Sequence, residues 1–363
     1  MASAIPLLID FGQSPWYDNL TRAIANGGLS QLMAEHEIRG VTSNPTIFEK
    51  AMGAGTDYDA QLREVTAAGA STSDAYWDLV TTDIGHAADL LRPVYDRLEA
   101  FDGYVSVEVS PELARDTAGT VEQAQALWQR LGKPNVMIKI PATVEGLPAI
   151  TQTLAAGINV NVTLIFSLDR YVQVIEAFLA GLEQRVKAGG DISRLASVAS
   201  FFVSRVDTET DRRLPDGHAL RGKAAVANAK LAYQVFLEKL AGPRWDQLEA
   251  AGARKQRPLW ASTSTKNPAY SPTLYVDDLI GQHTVNTLAQ ASVDVLAQGD
   301  ADLVADAILK DVDGAHAVIE GLAGAGVDFA DVTATLEREG VDAFAKSFHD
   351  ALDTLEKKAA ELK

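Results

Sequence analysis

The chain has 363 residues, of which 47% are hydrophobic and 22% are charged, and it contains no cysteine. Disulfide frameworks, thiolate nucleophiles and cysteine-ligated metal or iron–sulfur centres are therefore excluded. The formal net charge of −17, from 32 Lys and Arg against 49 Asp and Glu, argues against a nucleic-acid partner, because phosphate backbones are bound by clustered basic residues.

No targeting or membrane segment is indicated. The N-terminus lacks a positively charged region, and its apolar stretch Ile5–Ile9 is broken by Pro6 and followed by Asp10. This stretch is too short for the apolar core of a signal peptide. No run of about 18 uncharged apolar residues occurs, so we expect no membrane partner and a cytoplasmic protein.

Short β-rich runs alternate with long amphipathic stretches along the chain, which is typical of βα units and a parallel sheet. The predicted strands are Pro15–Asp18, Ile38–Asn44, Tyr104–Val109, Asn135–Ile140, Gly157–Thr163, Ala196–Phe202, Pro258–Thr263 and Pro272–Val276. The predicted helical stretches are Leu29–Glu37, Pro45–Ala100, Thr120–Leu131, Val144–Ala155, Leu168–Lys187, Arg205–Leu240 and Trp245–Ala251. The rest is predicted to be a helical tail with turns at Gly299–Asp300, Gly314 and Gly321–Gly326, ending in Val341–Lys363.

Eight strands that each lead into a helix predict a (β/α)8 barrel, or TIM barrel, of the α/β class with additional helices. A doubly wound open sheet is the alternative, but it would normally carry a glycine-rich turn after its first strand, and none follows Asp18. We expect a single barrel domain over residues 1–363. Within it, the helices of residues 277–363 are expected to close the barrel and pack on its exterior.

Polar residues in the predicted strands indicate which side chains point into the barrel, because successive side chains alternate between the interior and the helix layer. In a barrel the C-terminal ends of the strands converge on one mouth, where active sites are built. The interior polar residues near these ends are Asp18, Asn44, Glu108, Lys139 and Asn161, with Thr42 on the face of Asn44 and Thr163 on that of Asn161.

Lys139 lies between two isoleucines in the segment VMIKIP. On an edge strand its ammonium group would extend into water, but a closed barrel has no edge. Burial lowers the pKa of a lysine, and the neutral amine attacks carbonyl carbons, so we predict a Schiff base with a ketone or aldehyde. Glu108 and Asp18 are then candidates for the proton transfers, and Asn44, Asn161 and Thr163 for holding hydroxyl groups.

Several spaced segments carry a resemblance to a known family. They are GVTSNPTIFEKA (Gly40–Ala51), VMIKIPAT (Val136–Thr143), INVNVTLIFS (Ile158–Ser167), SVASFFVSRVDT (Ser197–Thr208), LWASTSTKNP (Leu259–Pro268) and the tail VDFADVTATLEREGVDAF (Val327–Phe344). Together they resemble transaldolase over nearly the whole chain. The resemblance implies a barrel of the class I aldolase type in the non-oxidative pentose phosphate pathway. Its reaction would move a dihydroxyacetone unit from sedoheptulose 7-phosphate or fructose 6-phosphate to glyceraldehyde 3-phosphate or erythrose 4-phosphate.

The resemblance also implies roles for the three charged residues of the mouth. Lys139 corresponds to the Schiff-base lysine of the fourth strand. Glu108 corresponds to the third-strand glutamate, which acts through a water molecule in carbinolamine formation and dehydration. Asp18 corresponds to the first-strand aspartate that takes the proton of the C4 hydroxyl; Asp10 is the alternative, and we favour Asp18 because its spacing before SNPT suits one short helix.

The remaining residues carried over by the resemblance bind substrate. Ser200 and Phe202 match positions of the sixth strand that line the pocket, beside Asn44, Thr42, Asn161 and Thr163. Arg205 resembles the principal phosphate-binding arginine, and the second phosphate position falls on Ser264 and Lys266. Some family members carry arginine where this chain has Lys266, which keeps the charge but loses the planar two-pronged donor. Phe344 or Phe348 of the last helix is expected to cover the site.

Two other functions stay open at this point. A fructose-6-phosphate aldolase shares the lysine and the fold, but such relatives are shorter and tend to have glutamine at the position of Glu108 and tyrosine at that of Phe202. The other alternative is a non-catalytic barrel that binds sugar phosphates. None of the three needs a cofactor, and the histidines show no metal-ligand spacing, so we expect neither metal, nicotinamide nor pyridoxal. The expected partners are small-molecule sugar phosphates, and the expected assembly is a monomer or a homodimer.

Overall fold

Eight parallel strands form the centre of the protein in a computed structural model that describes residues 3–299, 301 and 303–362. The strands close into a barrel in sequence order, with the last one paired to the first. They are β1 Gln13–Tyr17, β2 Gly40–Val41, β3 Tyr104–Glu108, β4 Val136–Pro141, β5 Val160–Ile165, β6 Ser197–Phe202, β7 Arg257–Ala261 and β8 Thr284–Leu288. The predicted (β/α)8 barrel is therefore confirmed.

Helices occupy the connections between strands and most of the chain after β8. The α-helices are α1 Ile5–Asp10, α2 Leu29–His36, α3 Pro45–Gly53, α4 Asp59–Ala67, α5 Thr72–Arg97, α6 Thr117–Leu131, α7 Gly146–Ala155, α8 Leu168–Lys187, α9 Ser204–Arg213, α10 Ala224–Lys239, α11 Pro243–Ala250, α12 Leu274–Asp277, α13 Gln290–Ala297, α14 Val312–Gly324 and α15 Phe329–Glu361. A π-helical turn covers Ile24–Gly28, and 3-10 turns cover Pro111–Leu113 and Ala307–Leu309. Within the described residues, no helix combines the length and apolarity needed to cross a bilayer.

The eighth strand lies later in the chain than predicted. The prediction of a strand at Pro272–Val276 is wrong, because the backbone N–H groups of Val276 and Asp277 both donate to the carbonyl of Thr273 and close a helical turn. The strand lies instead at Thr284–Leu288, where it pairs with β1 and β7. The expectation that residues 277–363 contribute only helices is therefore wrong, because this segment also contributes a barrel strand.

Of the turns predicted in the tail, the one at Gly314 is wrong and the one at Gly321–Gly326 is confined to the last residues of that range. Helix α14 runs through Gly314 and Gly321, although a glycine inside a helix costs about 1 kcal/mol relative to alanine. Asp311 offsets part of that cost, because its carboxylate accepts a hydrogen bond from the N–H of Gly314 at 3.1 Å. A bend does occur at Gly326, whose φ is +81°. Of the turn predicted at Gly299–Asp300, Asp300 lies outside the described residues.

Four other predicted elements have different bounds in the structure. Strand β2 is shorter than Ile38–Asn44, because Asn44 caps α3 instead of continuing the strand. The long predicted helix Arg205–Leu240 is divided into α9 and α10, and Pro45–Ala100 comprises α3, α4 and α5. The last helix begins at Phe329, earlier than Val341, and its predicted last residue, Lys363, lies outside the described residues.

The last helix, α15, crosses the C-terminal mouth of the barrel. Gly340 packs so closely on β5 that an added Cβ atom would lie 3.0 Å from the side chain of Leu164. Ser347 exchanges a hydrogen bond of 2.8 Å with Thr46 at the start of α3. The ring of Phe348 packs edge-on against Tyr76 of α5, with ring centroids 5.0 Å apart. This helix therefore forms one wall of the space at the mouth of the barrel.

Candidate active site

A cavity opens at the C-terminal ends of the strands, beneath α15. Eight of the residues predicted for the site line it, together with Phe344 from α15. These residues are Asp18, Thr42, Asn44, Lys139, Thr163, Ser200, Phe202 and Arg205. Glu108 and Asn161 lie beside Lys139, while Ser264 and Lys266 lie on the loop after β7.

Strand register places Lys139 between two other polar side chains. Glu108 of β3 is aligned with Lys139 of β4, which is aligned with Asn161 of β5. Aligned residues of neighbouring strands point to the same side of a sheet, so all three side chains face the interior. The ammonium nitrogen of Lys139 lies 3.1 Å from Oε2 of Glu108 and donates to the carbonyl of Ser43 at 3.2 Å.

Burial controls the chemistry of this ion pair. Only 6% of the Lys139 side chain and 5% of the Glu108 side chain are exposed. Desolvation raises the pKa of Glu108, and the nearby positive charges of Lys139 and Arg205 oppose that rise. A carboxylate whose pKa is raised is a better proton acceptor, so Glu108 is placed to take a proton from the lysine and leave a neutral amine.

A buried hydrogen-bond chain holds the amide of Asn161. Ser200 donates to its Oδ1 atom at 2.7 Å, and its Nδ2 atom donates to Oγ of Ser106 at 3.0 Å. Thr163, two residues further along β5, is fully buried, and its hydroxyl has no hydrogen-bond partner among the described residues. A buried hydroxyl without a protein partner is suited to hold a water molecule or a substrate hydroxyl.

An irregularity in β5 follows Thr163 directly. The pairing of β5 with β6 shifts register between Val162 and Ile165, and Leu164 has a φ of +60°. A left-handed conformation is costly for a branched residue and is found where surrounding structure imposes it. Here Leu164 is pressed against Gly340, so the irregularity sets the contact between the barrel and α15.

The two candidate aspartates lie at opposite ends of the barrel. Asp18 follows β1 directly and accepts a hydrogen bond of 2.6 Å from the hydroxyl of Thr42, which fixes the orientation of its carboxylate toward the cavity. Asp10 is an exposed residue at the end of α1, before the first strand begins. Of the two, Asp18 is the one that the structure brings to Lys139.

Asn44 reaches the cavity as the N-cap of α3. Its Oδ1 atom accepts a hydrogen bond from the N–H of Ile47 at 3.0 Å, and Pro45 occupies the first helical position. Both residue types are preferred at those positions. Capping uses only the oxygen, and the Nδ2 group makes no hydrogen bond to the described residues, so it remains available as a donor at the cavity.

Arg205 contributes a positive charge that forms no ion pair with the described residues. It lies in the first turn of α9, and no carboxylate among the described residues comes within 4.0 Å of it. Its guanidinium carbon lies 5.2 Å from the ring centre of Phe202 and 6.0 Å from that of Phe344. Burial lowers the pKa of Arg205, which the charges of Asp18 and Glu108 partly offset. A desolvated, unpaired guanidinium is suited to a phosphate.

The loop after β7 adds charge at the rim of the cavity. Lys266 donates to the hydroxyl of Ser264 at 2.7 Å. Partial burial and the neighbouring positive charges of Arg205 and Lys50 lower the pKa of Lys266, so three cations share this rim. A locally positive rim on a chain of net charge −17 favours an anionic substrate here.

Two pairs of side chains tie this loop to helix α9. The hydroxyl of Tyr275 donates to Asp207 at 2.7 Å, and that of Tyr270 donates to Asp211 at 2.5 Å. Both aspartates lie on α9, whose second residue is Arg205. These bonds therefore fix the position of Lys266 relative to Arg205.

Comparison with known proteins identifies the family. A sequence model described as Transaldolase/Fructose-6-phosphate aldolase matches residues 15–355. The chain belongs to the transaldolase/fructose-6-phosphate aldolase family. The resemblance seen in the spaced segments is thereby confirmed.

Full-length relatives carry the narrower name within this family. The chain is 50% identical to a transaldolase of Thermobifida fusca (strain YX) over 366 residues, which are 99% of each chain. It is 51% identical to a transaldolase of Acidothermus cellulolyticus over 93% of this chain and 92% of the relative. It is 46% identical to transaldolase 2 of Streptomyces coelicolor over all of this chain and 98% of the relative.

Some residues that contact the candidate site were not predicted from the sequence. Ser43 accepts from Lys139 through its carbonyl, and its hydroxyl donates to the carbonyl of Ser106 at 2.8 Å. The shared face of Ser106 and Glu108 in β3 was a signal for Ser106. No sequence signal marked Ser43, because a backbone carbonyl carries none, and none linked Tyr270 to Asp211, which are 59 positions apart.

Proposed function

We propose that this protein is a transaldolase that transfers a dihydroxyacetone unit between sugar phosphates through a Schiff base on Lys139. The observation that carries the proposal is the buried pair of Lys139 and Glu108 facing a cavity whose rim holds Arg205. The pair supplies an amine and a base, and the rim supplies phosphate recognition. Full-length relatives with the same name support the same activity.

Schiff-base formation begins with proton transfer from the ammonium of Lys139 to Glu108. The neutral amine attacks the C2 carbonyl of the donor ketose, and the carbonyl oxygen is protonated to give a carbinolamine. Loss of that oxygen as water then leaves the protonated imine. The separation of 3.1 Å between Nζ and Oε2 suits direct proton transfer, and a water molecule on Thr163 would relay protons between Glu108 and the substrate oxygen.

Asp18 is the base for carbon–carbon cleavage. Its carboxylate takes the proton of the C4 hydroxyl, the C3–C4 bond breaks, and the aldose phosphate leaves. The electron pair of that bond is held by the imine as an enamine, which then attacks the aldehyde carbon of the acceptor. Asp18 returns the proton to the new hydroxyl group, and hydrolysis of the imine releases the product. Thr42 supports this role by holding the carboxylate in one orientation.

Substrate binding divides between hydroxyl and phosphate groups. Asn44 offers its free Nδ2 donor to sugar hydroxyls, while Asn161 and Ser200 form a fixed polar wall. Arg205 binds the phosphate group, and Lys266 and Ser264 bind it from the facing loop. Phe202 and Phe344 exclude water from the amine, since the ring centre of Phe344 lies 5.7 Å from its nitrogen.

Reductive trapping tests the covalent step. Incubation with fructose 6-phosphate and sodium borohydride should add a dihydroxyacetone- or ketose-derived mass to the peptide that contains Lys139. Lys139→Met should abolish the adduct, whereas Lys230→Met should not. Lys230 is the matched control, because it is also a buried lysine but lies on α10 and donates to the carbonyl of Lys310. An adduct on any other lysine would contradict the proposal.

Dependence on an acceptor distinguishes a transferase from an aldolase. With fructose 6-phosphate as donor, sedoheptulose 7-phosphate should form only when erythrose 4-phosphate is present. Release of free dihydroxyacetone at the same rate without an acceptor would favour a fructose-6-phosphate aldolase. Failure of every donor to form an adduct would favour the non-catalytic barrel.

The proposal also covers the cellular location, domain organisation and assembly of the enzyme. We place it in the cytoplasm, as one barrel domain that works as a monomer or a homodimer. Sugar phosphates are charged and do not cross membranes freely, which supports a cytoplasmic site. A continuous hydrophobic cluster that runs from Ile5 to Leu355 supports a single domain.

A further inference from the structure

A second recess lies at the opposite, N-terminal mouth of the barrel. It has a volume of about 370 Å³ and is bordered by residues at the N-terminal ends of β3, β4, β6, β7 and β8. Basic side chains concentrate there: Arg254, Lys255, Arg257 and His283 line the recess, against one acidic side chain, Glu249, among its described lining residues. The transaldolase reaction uses none of them.

Two of these basic residues have no acidic partner. Among the described residues, no carboxylate lies within 4.0 Å of Arg254 or Lys255, and neither side chain donates a hydrogen bond to the protein. Lys255 lies against the rings of Phe236 and Trp245, with its nitrogen 5.8 and 5.9 Å from their centres. Aromatic faces attract a cation but leave its donors free, so both residues remain available to an anion.

Arg257 forms the floor of the recess and is already neutralised. It is buried, donates to the hydroxyl of Ser14 at 2.8 Å and lies 3.5 Å from the carboxylate of Asp102. Its guanidinium carbon also lies 4.6 Å from the ring centre of Phe101. Phe101 is held in this way while 39% of its surface stays exposed.

His283 completes the basic side of the recess. It has a φ of +59°, which places it in the left-handed region. Burial and the charges of Lys255 and Arg257 lower its pKa, which favours its neutral form. A bound dianion would reverse the electrostatic part of this effect and favour the protonated ring, which adds a donor.

We propose that this recess binds a small organic phosphate, with Arg254, Lys255 and His283 holding the phosphate group and Phe101 contacting the organic part. Two unpaired cations and a histidine suit a dianion better than a single carboxylate. The volume exceeds what a bare phosphate ion fills, and an exposed aromatic ring provides a surface for a planar group. The proposal is independent of the proposed transaldolase activity.

Calorimetric titration with adenosine 5′-monophosphate tests the recess with a probe that is not a ketose. The double variant Arg254→Gln/Lys255→Gln should weaken binding by about tenfold or more, which corresponds to about 1.4 kcal/mol. The matched control is Arg205→Gln, which removes the phosphate-binding cation of the active site and should leave the affinity unchanged. Thermal unfolding should show that both variants are folded.

The identity of the bound group is tested by three further probes. Adenosine, inorganic phosphate and malonate should each bind more weakly than the nucleotide, because adenosine lacks the phosphate group, inorganic phosphate lacks the organic part and malonate lacks both. Equal binding of inorganic phosphate would overturn the contact with Phe101, and equal binding of malonate or adenosine would overturn the preference for phosphate. Absence of nucleotide binding, or its loss in Arg205→Gln alone, would overturn the site.

Nuclear magnetic resonance of the histidine rings provides a readout that reports on the recess itself. The signal of His283, assigned by its absence in His283→Gln, should shift on addition of the nucleotide, and its pKa should rise. The signal of His349, which lies 3.5 Å from Glu112 on the surface, should stay in place. An unchanged His283 signal at saturating nucleotide would contradict the proposal.

Discussion

The two mouths of the barrel each hold a buried ion pair, but the pairs are used differently. Lys139 and Glu108 are 3.1 Å apart at the C-terminal mouth, and Arg257 and Asp102 are 3.5 Å apart at the N-terminal mouth. Asp102 also accepts a hydrogen bond of 2.7 Å from the indole of Trp16. The carboxylate of the N-terminal pair is therefore hydrogen-bonded to the protein outside the pair, whereas Glu108 has no partner other than Lys139 among the described residues.

The comparison shows that burial of a charge does not by itself indicate catalysis. Burying an ion pair costs desolvation energy at either end, and hydrogen bonds to the surroundings decide whether the cost is offset. At the N-terminal mouth Ser14 and Trp16 bond to the pair, although Oδ2 of Asp102 has no hydrogen bond to the described residues, while at the C-terminal mouth the hydroxyl of Thr163 has none and lines the cavity. Unused donors and acceptors beside a cavity are the better sign of a reacting site.

The aspartates at the two ends should give the largest contrast. Asp18→Asn removes the base for cleavage, and we expect the transferase rate to fall by about 10³-fold, with borohydride trapping on Lys139 retained. Asp10→Asn, at the exposed end of α1, should leave both measurements unchanged. A normal transferase rate in Asp18→Asn, or loss of trapping, would mean that the residue has another role.

Substitution of the carboxylate in each ion pair should separate an effect on catalysis from an effect on stability. Glu108→Gln removes the proton acceptor beside Lys139, so we expect imine formation, measured by rapid trapping, to slow by about 10²-fold. Asp102→Asn leaves Arg257 buried without its charge partner, so we expect the free energy of unfolding to fall by about 3 kcal/mol.

As a control, each of these two variants is also measured with the assay used for the other. Denaturant unfolding of Glu108→Gln and trapping kinetics of folded Asp102→Asn complete the comparison. If the Asp102 variant slowed imine formation as much as the Glu108 variant, the division between the two mouths would be incorrect.

Arg205 should affect binding more than chemistry. Arg205→Gln removes a charged hydrogen bond of about 1.5–3 kcal/mol, which predicts a rise in KM for fructose 6-phosphate of roughly 10- to 100-fold. Reaction with unphosphorylated dihydroxyacetone should change little. Arg212→Gln is the control on the same helix, since Arg212 is exposed and pairs with Glu209. An equal loss on both substrates would contradict a phosphate-binding role.

The tethers of the β7 loop should give the smallest effect. Tyr270→Phe loses one hydrogen bond to Asp211 and loosens the loop that carries Lys266, so KM for phosphorylated donors should rise by about two- to fivefold. Tyr233→Phe loses a comparable bond to the carbonyl of Gln282 near the other mouth and should leave KM unchanged. Steady-state kinetics on both variants measures whether KM rises only in the first.

The sequence predicted the barrel and the composition of the C-terminal mouth because both depend on local alternation. Lys139 and Glu108 stand out as charges within apolar strands, and strand order alone makes them neighbours. Asn44 was expected at the mouth as a polar residue at the end of a strand, and it reaches the mouth as the cap of α3 instead. These signals lie within a few residues of the side chains they concern.

What the sequence did not predict depends on packing between distant segments. The runs Pro272–Val276 and Thr284–Leu288 are both rich in β-forming residues, and only pairing with β1 and β7 decides which is the strand. The position of Phe344 over Lys139 follows from the contact of Gly340 with Leu164, which no local pattern encodes. The link between Tyr270 and Asp211 likewise joins two loops that meet only in the folded chain.

The crossing of the mouth by α15 has a consequence for biosynthesis. The chain completes its eighth strand at Leu288, but the wall that shields Lys139 is supplied only by Phe344. A nascent chain that includes Leu288 but not yet Phe344 can align the lysine with its glutamate, but the amine is still exposed to water. Enzymatic activity should therefore emerge on the ribosome later than the barrel itself.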